Sequence, residues 1–88
     1  MPKTAASEVA TKVVGSSIRT ARLEVGITQA ELAGRMGVNA SYVTNVEAGR
    51  VNLTVGQLAN IADALGTGLD VRLPLLDSEP VSVASARA

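Results

Sequence analysis

The side chains best suited to chemistry cluster where Asn39, Ala40, Ser41, Thr44 and Asn45 follow one another at helical spacing. With Val43 and Val46 turned inward, these five fall on the outward side of the same helix. They are short and uncharged, and all but Ala40 carry hydrogen-bonding atoms. A helix face meant only for water normally carries Lys and Glu. This one suits base edges in a major groove, where Asn can pair bidentately with adenine, Ser or Thr with several bases, and Ala with a thymine methyl. On these residues alone, a solvated face of small side chains accounts for the pattern equally well.

Other chemistries find little support. The chain has no cysteine and no histidine, so thiolate metal sites, disulfides and the commonest general base are missing. There is no paired-carboxylate motif, and "GTGLD" at 66–70 resembles a phosphate loop but lacks the following lysine and helix. These features predict a protein that is not an enzyme and needs no metal or cofactor.

The elements that must position residues 39–45 are legible on either side of them. "MPKTAA" (1–6) reads as a flexible arm. From about Ser7, the residues Val9, Val13, Val14, Ile18, Ala21 and Val25 keep a helical spacing up to a stop at Gly26. Gly15 and Ser16 weaken the middle of that stretch, so an alternative start lies near Val14. Thr28 with Glu31 forms a capping box for a second helix carrying Ala30, Leu32, Ala33 and Met36, which stops at Gly37. Asn39 caps the third helix, which ends before Gly49. Thr54 with Gln57 is a second capping box, opening a fourth helix with an apolar stripe of Leu58, Ile61, Ala62 and Leu65, closed by Gly66.

The second and third helices, joined by a short turn with glycine, match a helix-turn-helix unit. Ala33 supplies the small side chain where they cross, and Val43 closes the contact. After Gly66 the period changes. Leu69, Val71, Leu73 and Leu75 alternate with Asp70 and Arg72, which reads as a strand, and Pro74 confines its end to an edge. The domain plan is therefore an arm at 1–6, a helical domain at 7–66, a strand at 67–76 and a disordered tail at 77–88.

At 88 residues the chain is one small domain near the lower limit for a self-sufficient core, and Tyr42 is its only aromatic residue. Its apolar runs are too short to cross a bilayer, and no signal peptide is evident, so a cytoplasmic location is expected. A formal net charge of zero counts against a general polyanion binder.

The run "R..R...GITQAELAGRMGV" through "SYVTNVEAGR" resembles the Cro and phage-repressor (XRE) family of helix-turn-helix regulators, with Gln29, Ala33, Gly37, Val43 and Glu47 in register. The resemblance covers residues 14–66. It implies an all-α fold, a compact lambda-repressor-like helical domain, here with one short C-terminal β-strand. It also implies a sequence-specific DNA-binding regulator whose third helix enters the major groove of double-stranded DNA. Asn39, Ala40, Ser41, Thr44 and Asn45 then become the base readers. Gln29, Tyr42, and Asn52 and Thr54 at the start of the fourth helix become phosphate contacts. Arg22 and Glu47 match a family ion pair tying the first helix to the end of the recognition helix. Once Glu31 caps and Glu47 pairs, Arg19, Arg35 and Arg50 are left for phosphates. The acids Asp63, Asp70, Asp77 and Glu79 lie downstream.

The terminal segment is similar to that of the short antitoxins that bind HipA-type kinases. That likeness implies a homodimer formed through the strand, with Leu69, Val71 and Leu73 at the interface, and a repressor reading a pseudo-palindromic operator. A strand folded back on its own helices is the alternative arrangement. An antitoxin that neutralises a toxin protein and autoregulates its operon is the alternative function.

Overall fold

A computed structural model of the chain describes residues 5–71 and 81–84. Four helices, α1 (Ala5–Val25), α2 (Gln29–Met36), α3 (Ala40–Glu47) and α4 (Val55–Leu65), precede two short strands, β1 (Leu69–Val71) and β2 (Val81–Val83). The domain is all-α apart from this small ribbon, as the sequence predicts. Among the described residues, no helix is long and apolar enough to cross a membrane.

The helices α2, α3 and α4 each start at a side-chain cap. The Thr28 hydroxyl accepts the Glu31 amide at 3.0 Å while the Glu31 carboxylate accepts the Thr28 amide at 3.0 Å. The Thr28 amide holds the Glu31 carboxyl below its ordinary pKa. This cap therefore contributes above the usual glutamate range and is lost as pH falls through the lowered value. Gly37 closes α2 at φ 70°, a left-handed conformation that lets the chain reverse into α3 within a few residues. Asn39 caps α3 by accepting the Tyr42 amide at 3.2 Å. The second box, Thr54 with Gln57, opens α4.

The first helix departs from expectation in two ways. It begins at Ala5, two residues inside the segment read as a flexible arm, and it runs unbroken through Gly15, which sets aside the alternative start near Val14. The reason is tertiary. A Cβ built on Gly15 would lie 2.4 Å from the Val46 carbonyl oxygen and 2.8 Å from that of Glu47. The glycine that costs helix propensity is what allows α1 to pass directly over the end of α3. Residues 1–4 of the expected arm lie outside the described residues.

The apolar faces meet in a single cluster in which Ile18, Leu32, Val43, Ile61 and Leu69 are the largest fully buried side chains. Arg22 is buried beside them. Its Nε donates to Glu47 Oε2 at 2.6 Å, its Nη2 to Glu47 Oε1 at 3.0 Å and its Nη1 to the Ile27 carbonyl at 2.8 Å. One guanidinium thus joins α1, the α1–α2 turn and the last residue of α3.

The strand region requires a correction. β1 pairs antiparallel with β2 of the same chain, in the register Leu69↔Val83, Asp70↔Ser82 and Val71↔Val81. The edge expected to join a second copy is therefore partly taken within the chain, and Val81–Val83 is ordered strand where a disordered tail was expected. Leu69 is 2% exposed and sits in the helical core, so the strand folds back on its own helices. Leu73, Leu75, Asp77 and Glu79 lie outside the described residues.

Two tests follow from this packing. Gly15→Ala should lower stability by about 1–3 kcal/mol by overpacking the α1–α3 crossing. Gly34→Ala, on an exposed helical site with nothing within 4 Å, should raise it by about 0.5–1 kcal/mol. Thermal melts of the two variants should move in opposite directions. Arg22→Ala should cost about 3–5 kcal/mol, because it strands a carboxylate whose side chain is 3% exposed. An unchanged melting temperature would show that the pair does not hold the fold.

Candidate nucleic-acid interface

The crossing of α2 and α3 decides which side of α3 faces outward. Ala33, Val43 and Val46 are each 2% exposed, so that side of α3 is sealed against the core. Asn39, Ala40, Ser41 and Thr44 are exposed and Asn45 is half-buried. The structure thus brings the five expected base readers onto one face, but it does not leave them equivalent.

Several are already hydrogen-bonded. The Asn39 carbonyl oxygen accepts both the Tyr42 amide, at 3.2 Å, and the Ser41 hydroxyl, at 2.6 Å. The Asn45 carbonyl oxygen accepts Arg50 Nη1 at 3.3 Å, while the Arg50 amide donates to the Asn45 backbone carbonyl at 3.0 Å. Bidentate adenine pairing needs an Asn oxygen and nitrogen together, so Asn39, whose oxygen already takes two donors, is not set up for it, whereas the Asn45 oxygen keeps a second lone pair. The amide nitrogens of both remain as donors. Thr44 Oγ1 donates towards Gln29 Oε1 at 2.8 Å and towards the Ala40 carbonyl at 3.1 Å.

The expected phosphate contacts divide similarly. Gln29 Nε2 donates to Glu47 Oε1 at 3.1 Å, so this side chain bridges the buried ion pair to Thr44. Arg35 Nη1 donates to the Ala64 carbonyl at 3.1 Å, placing a cation at the C-terminal end of α4, where the helix dipole favours it. Arg35 and Tyr42 line one open groove of about 450 Å³ together with Met36, Gln57 and Asp63. Arg19, Arg50 and Asn52 are exposed. The Thr54 amide is used by Gln57 Oε1 at 2.8 Å. The amides that a helix start leaves for an anion are therefore those of Val55 and Gly56. The Val55 side chain is 82% exposed, so this helix start is uncovered.

Sequence reasoning missed Gln29 as a bridge. The signal was there, since Glu47 is a carboxylate at a helix end with more accepting capacity than one guanidinium fills. It also missed Lys12, whose backbone and side chain pack against Gly49, where an added Cβ would lie 2.8 Å from them. Electrostatically, Glu47 holds the Arg22 guanidinium charged, raising its pKa against the opposing effect of burial.

The comparisons with known proteins agree with this geometry. The Helix-turn-helix family model (HTH_3) matches residues 18–71. The uncharacterized HTH-type transcriptional regulator y4dJ of Sinorhizobium fredii is 44% identical over 55 residues, which cover 62% of this chain and 71% of y4dJ. A second regulator from that organism, y4mF, is 31% identical over 61 residues, covering 69% of this chain and 80% of y4mF. Among solved structures, the clp gene regulator ClgR of C. glutamicum superposes with a TM-score of 0.60 at 31% identity, over 74% of this chain and 78% of that one. The restriction-modification controller protein C.AhdI of Aeromonas hydrophila gives 0.61 at 28% identity, over 73% and 90%. With its capped α2–turn–α3 unit and this match over most of its length, the chain belongs to the XRE-type helix-turn-helix family of DNA-binding transcriptional regulators.

Proposed function

We propose that the chain is a cytoplasmic, sequence-specific repressor that binds a pseudo-palindromic site in double-stranded DNA as a homodimer, with α3 in the major groove. The observation that carries this reading is the outward face of α3. Its inner side is sealed by Val43 and Val46, and its outer side carries Asn39, Ala40, Ser41, Thr44 and Asn45 without a charge. Arg19, Arg50 and Asn52, with the amides of Val55 and Gly56, supply phosphate contacts that fix the register. Arg35, Tyr42 and Gln29 contribute through side-chain groups that their internal hydrogen bonds leave available.

The homodimer follows from reach. An α3 of eight residues is only about 12 Å long, whereas two copies related by a two-fold axis read half-sites about 34 Å apart. The terminal strand suggested both a strand-mediated dimer and an antitoxin. Since it pairs within the chain, it gives the antitoxin reading no support of its own. The outer edges of this two-stranded ribbon are candidate dimer contacts.

Selection of bound duplexes from a random pool should return a two-fold symmetric motif. A pool without any motif would overturn sequence-specific binding. On the selected site, Asn45→Ala should cost about 1–3 kcal/mol in binding and change affinity for random DNA little. Sedimentation of the complex should give two chains per duplex, and one chain per duplex would refute the homodimer.

A further inference from the structure

The hydrogen bonds behind α3 run in one direction, and that direction constrains what the face can read. Glu47 is a carboxylate and has no proton to offer, so Gln29, 3.1 Å away, must turn its NH₂ towards Glu47 Oε1. That leaves the Gln29 carbonyl oxygen facing Thr44 Oγ1 at 2.8 Å. A carbonyl can only accept, so the Thr44 hydroxyl must donate. Its other internal neighbour, the Ala40 carbonyl at 3.1 Å, is also purely an acceptor. A hydroxyl has one proton, and here both internal positions open to it draw that proton into the protein. Outward, Thr44 shows lone pairs alone.

We propose that Thr44 acts as an acceptor selecting an exocyclic amino group, adenine N6 or cytosine N4, with Gln29 as the nearer of the two groups that set this polarity. The inference rests on the reading that α3 enters the major groove and adds which base atom its central hydroxyl takes. Thymine O4 and guanine O6 at the same point would face lone pairs with lone pairs. Binding them would require turning the Thr44 proton outward, away from Gln29. The rest of the face conforms to the same scheme. Ser41 spends its proton on Asn39, whose oxygen takes two donors, so that the Asn39 amide nitrogen is left as a donor. The recognition face thus has acceptors at 41 and 44 and a donor at 39, while Asn45 can both donate and accept.

The test uses the full chain and the motif selected from a random pool. Repeating the selection with Thr44→Val identifies the base pair whose preference depends on the hydroxyl. At that pair, adenine is replaced by purine, or cytosine by 2-pyrimidinone, either of which deletes only the amino group. The wild-type chain should lose about tenfold in affinity on the amino-free duplex, and Thr44→Val less than twofold. Gln29→Met, which keeps Arg22 and Glu47 paired, should shrink the wild-type penalty in part, because the longer bond to the Ala40 carbonyl, at 3.1 Å, is then the internal acceptor left to hold the Thr44 proton. A residue that merely touched phosphate would weaken all duplexes equally and leave that ratio unchanged. A penalty in the wild type that Gln29→Met does not alter would remove Gln29 from the scheme and overturn the relay. Indifference of the wild type to the amino group, or a motif that Thr44→Val leaves intact, would overturn the acceptor assignment. A pool that yields no motif would instead refute the DNA-reading function itself.

Discussion

The Arg22–Glu47 pair is the constraint around which the rest of the domain is arranged. Its guanidinium makes three hydrogen bonds to two other parts of the chain, two to a carboxylate at the end of α3 and one to the carbonyl of Ile27 in the α1–α2 turn. A buried cation is tolerated only when its donors are satisfied, so the three segments have one relative position that costs little. The recognition helix is consequently set at its C-terminal end by charge and along its inner side by Val43 and Val46. At its N-terminal end the Asn39 cap and the Gly37 turn fix it. A helix of eight residues has little stability of its own, and these tertiary anchors hold it in shape and place.

The same pair explains why two glycines matter more than their neighbours. For the guanidinium on α1 to reach Glu47, α1 must cross the end of α3 at backbone contact, and the crossing falls at Gly15. One turn towards the N-terminus, Lys12 packs on Gly49, which also needs φ 77° to lead the chain out of α3. Side chains larger than hydrogen at these points would push the helices apart and lengthen the ion pair. Close packing and electrostatics therefore impose one geometry rather than competing for it.

Polar groups at the interface serve two purposes at once. Gln29 is placed by family likeness as a DNA contact, yet in the free protein it ties the ion pair to Thr44. Arg35 lies at the C-terminal end of α4 and Arg50 against Asn45. Such bonds reduce the side-chain entropy left to lose on binding and orient donors and acceptors in advance. They also bear on how a chain with no net charge can present cations, because Arg35 and Arg50 are held by neutral partners while Glu31 and Glu47 are consumed in a cap and a pair.

What the sequence determined by itself is local and periodic. The two capping boxes, the Asn39 cap, the glycine stops and the apolar stripes of α2 to α4 each depend on residues within a few positions of one another, so they could be read directly. The outward placement of Asn39, Ala40, Ser41, Thr44 and Asn45 followed from the same periodicity, and the Arg22–Glu47 pair was recoverable only through family likeness. The remainder depended on contacts distant in sequence. Gly15 and Ser16 look like a weak point in a helix until the backbone of α3 is laid against them. Alternating Leu69, Asp70 and Val71 announces a strand but cannot name its partner, and "VSV" at 81–83 is too short to register as one. Their pairing is decided by the burial of Leu69 against the helices, which holds β1 where β2 can reach it. The direction of the hydrogen bonds through Gln29 likewise exists only once α2 and α3 have brought a carboxylate, an amide and a hydroxyl within reach of one another.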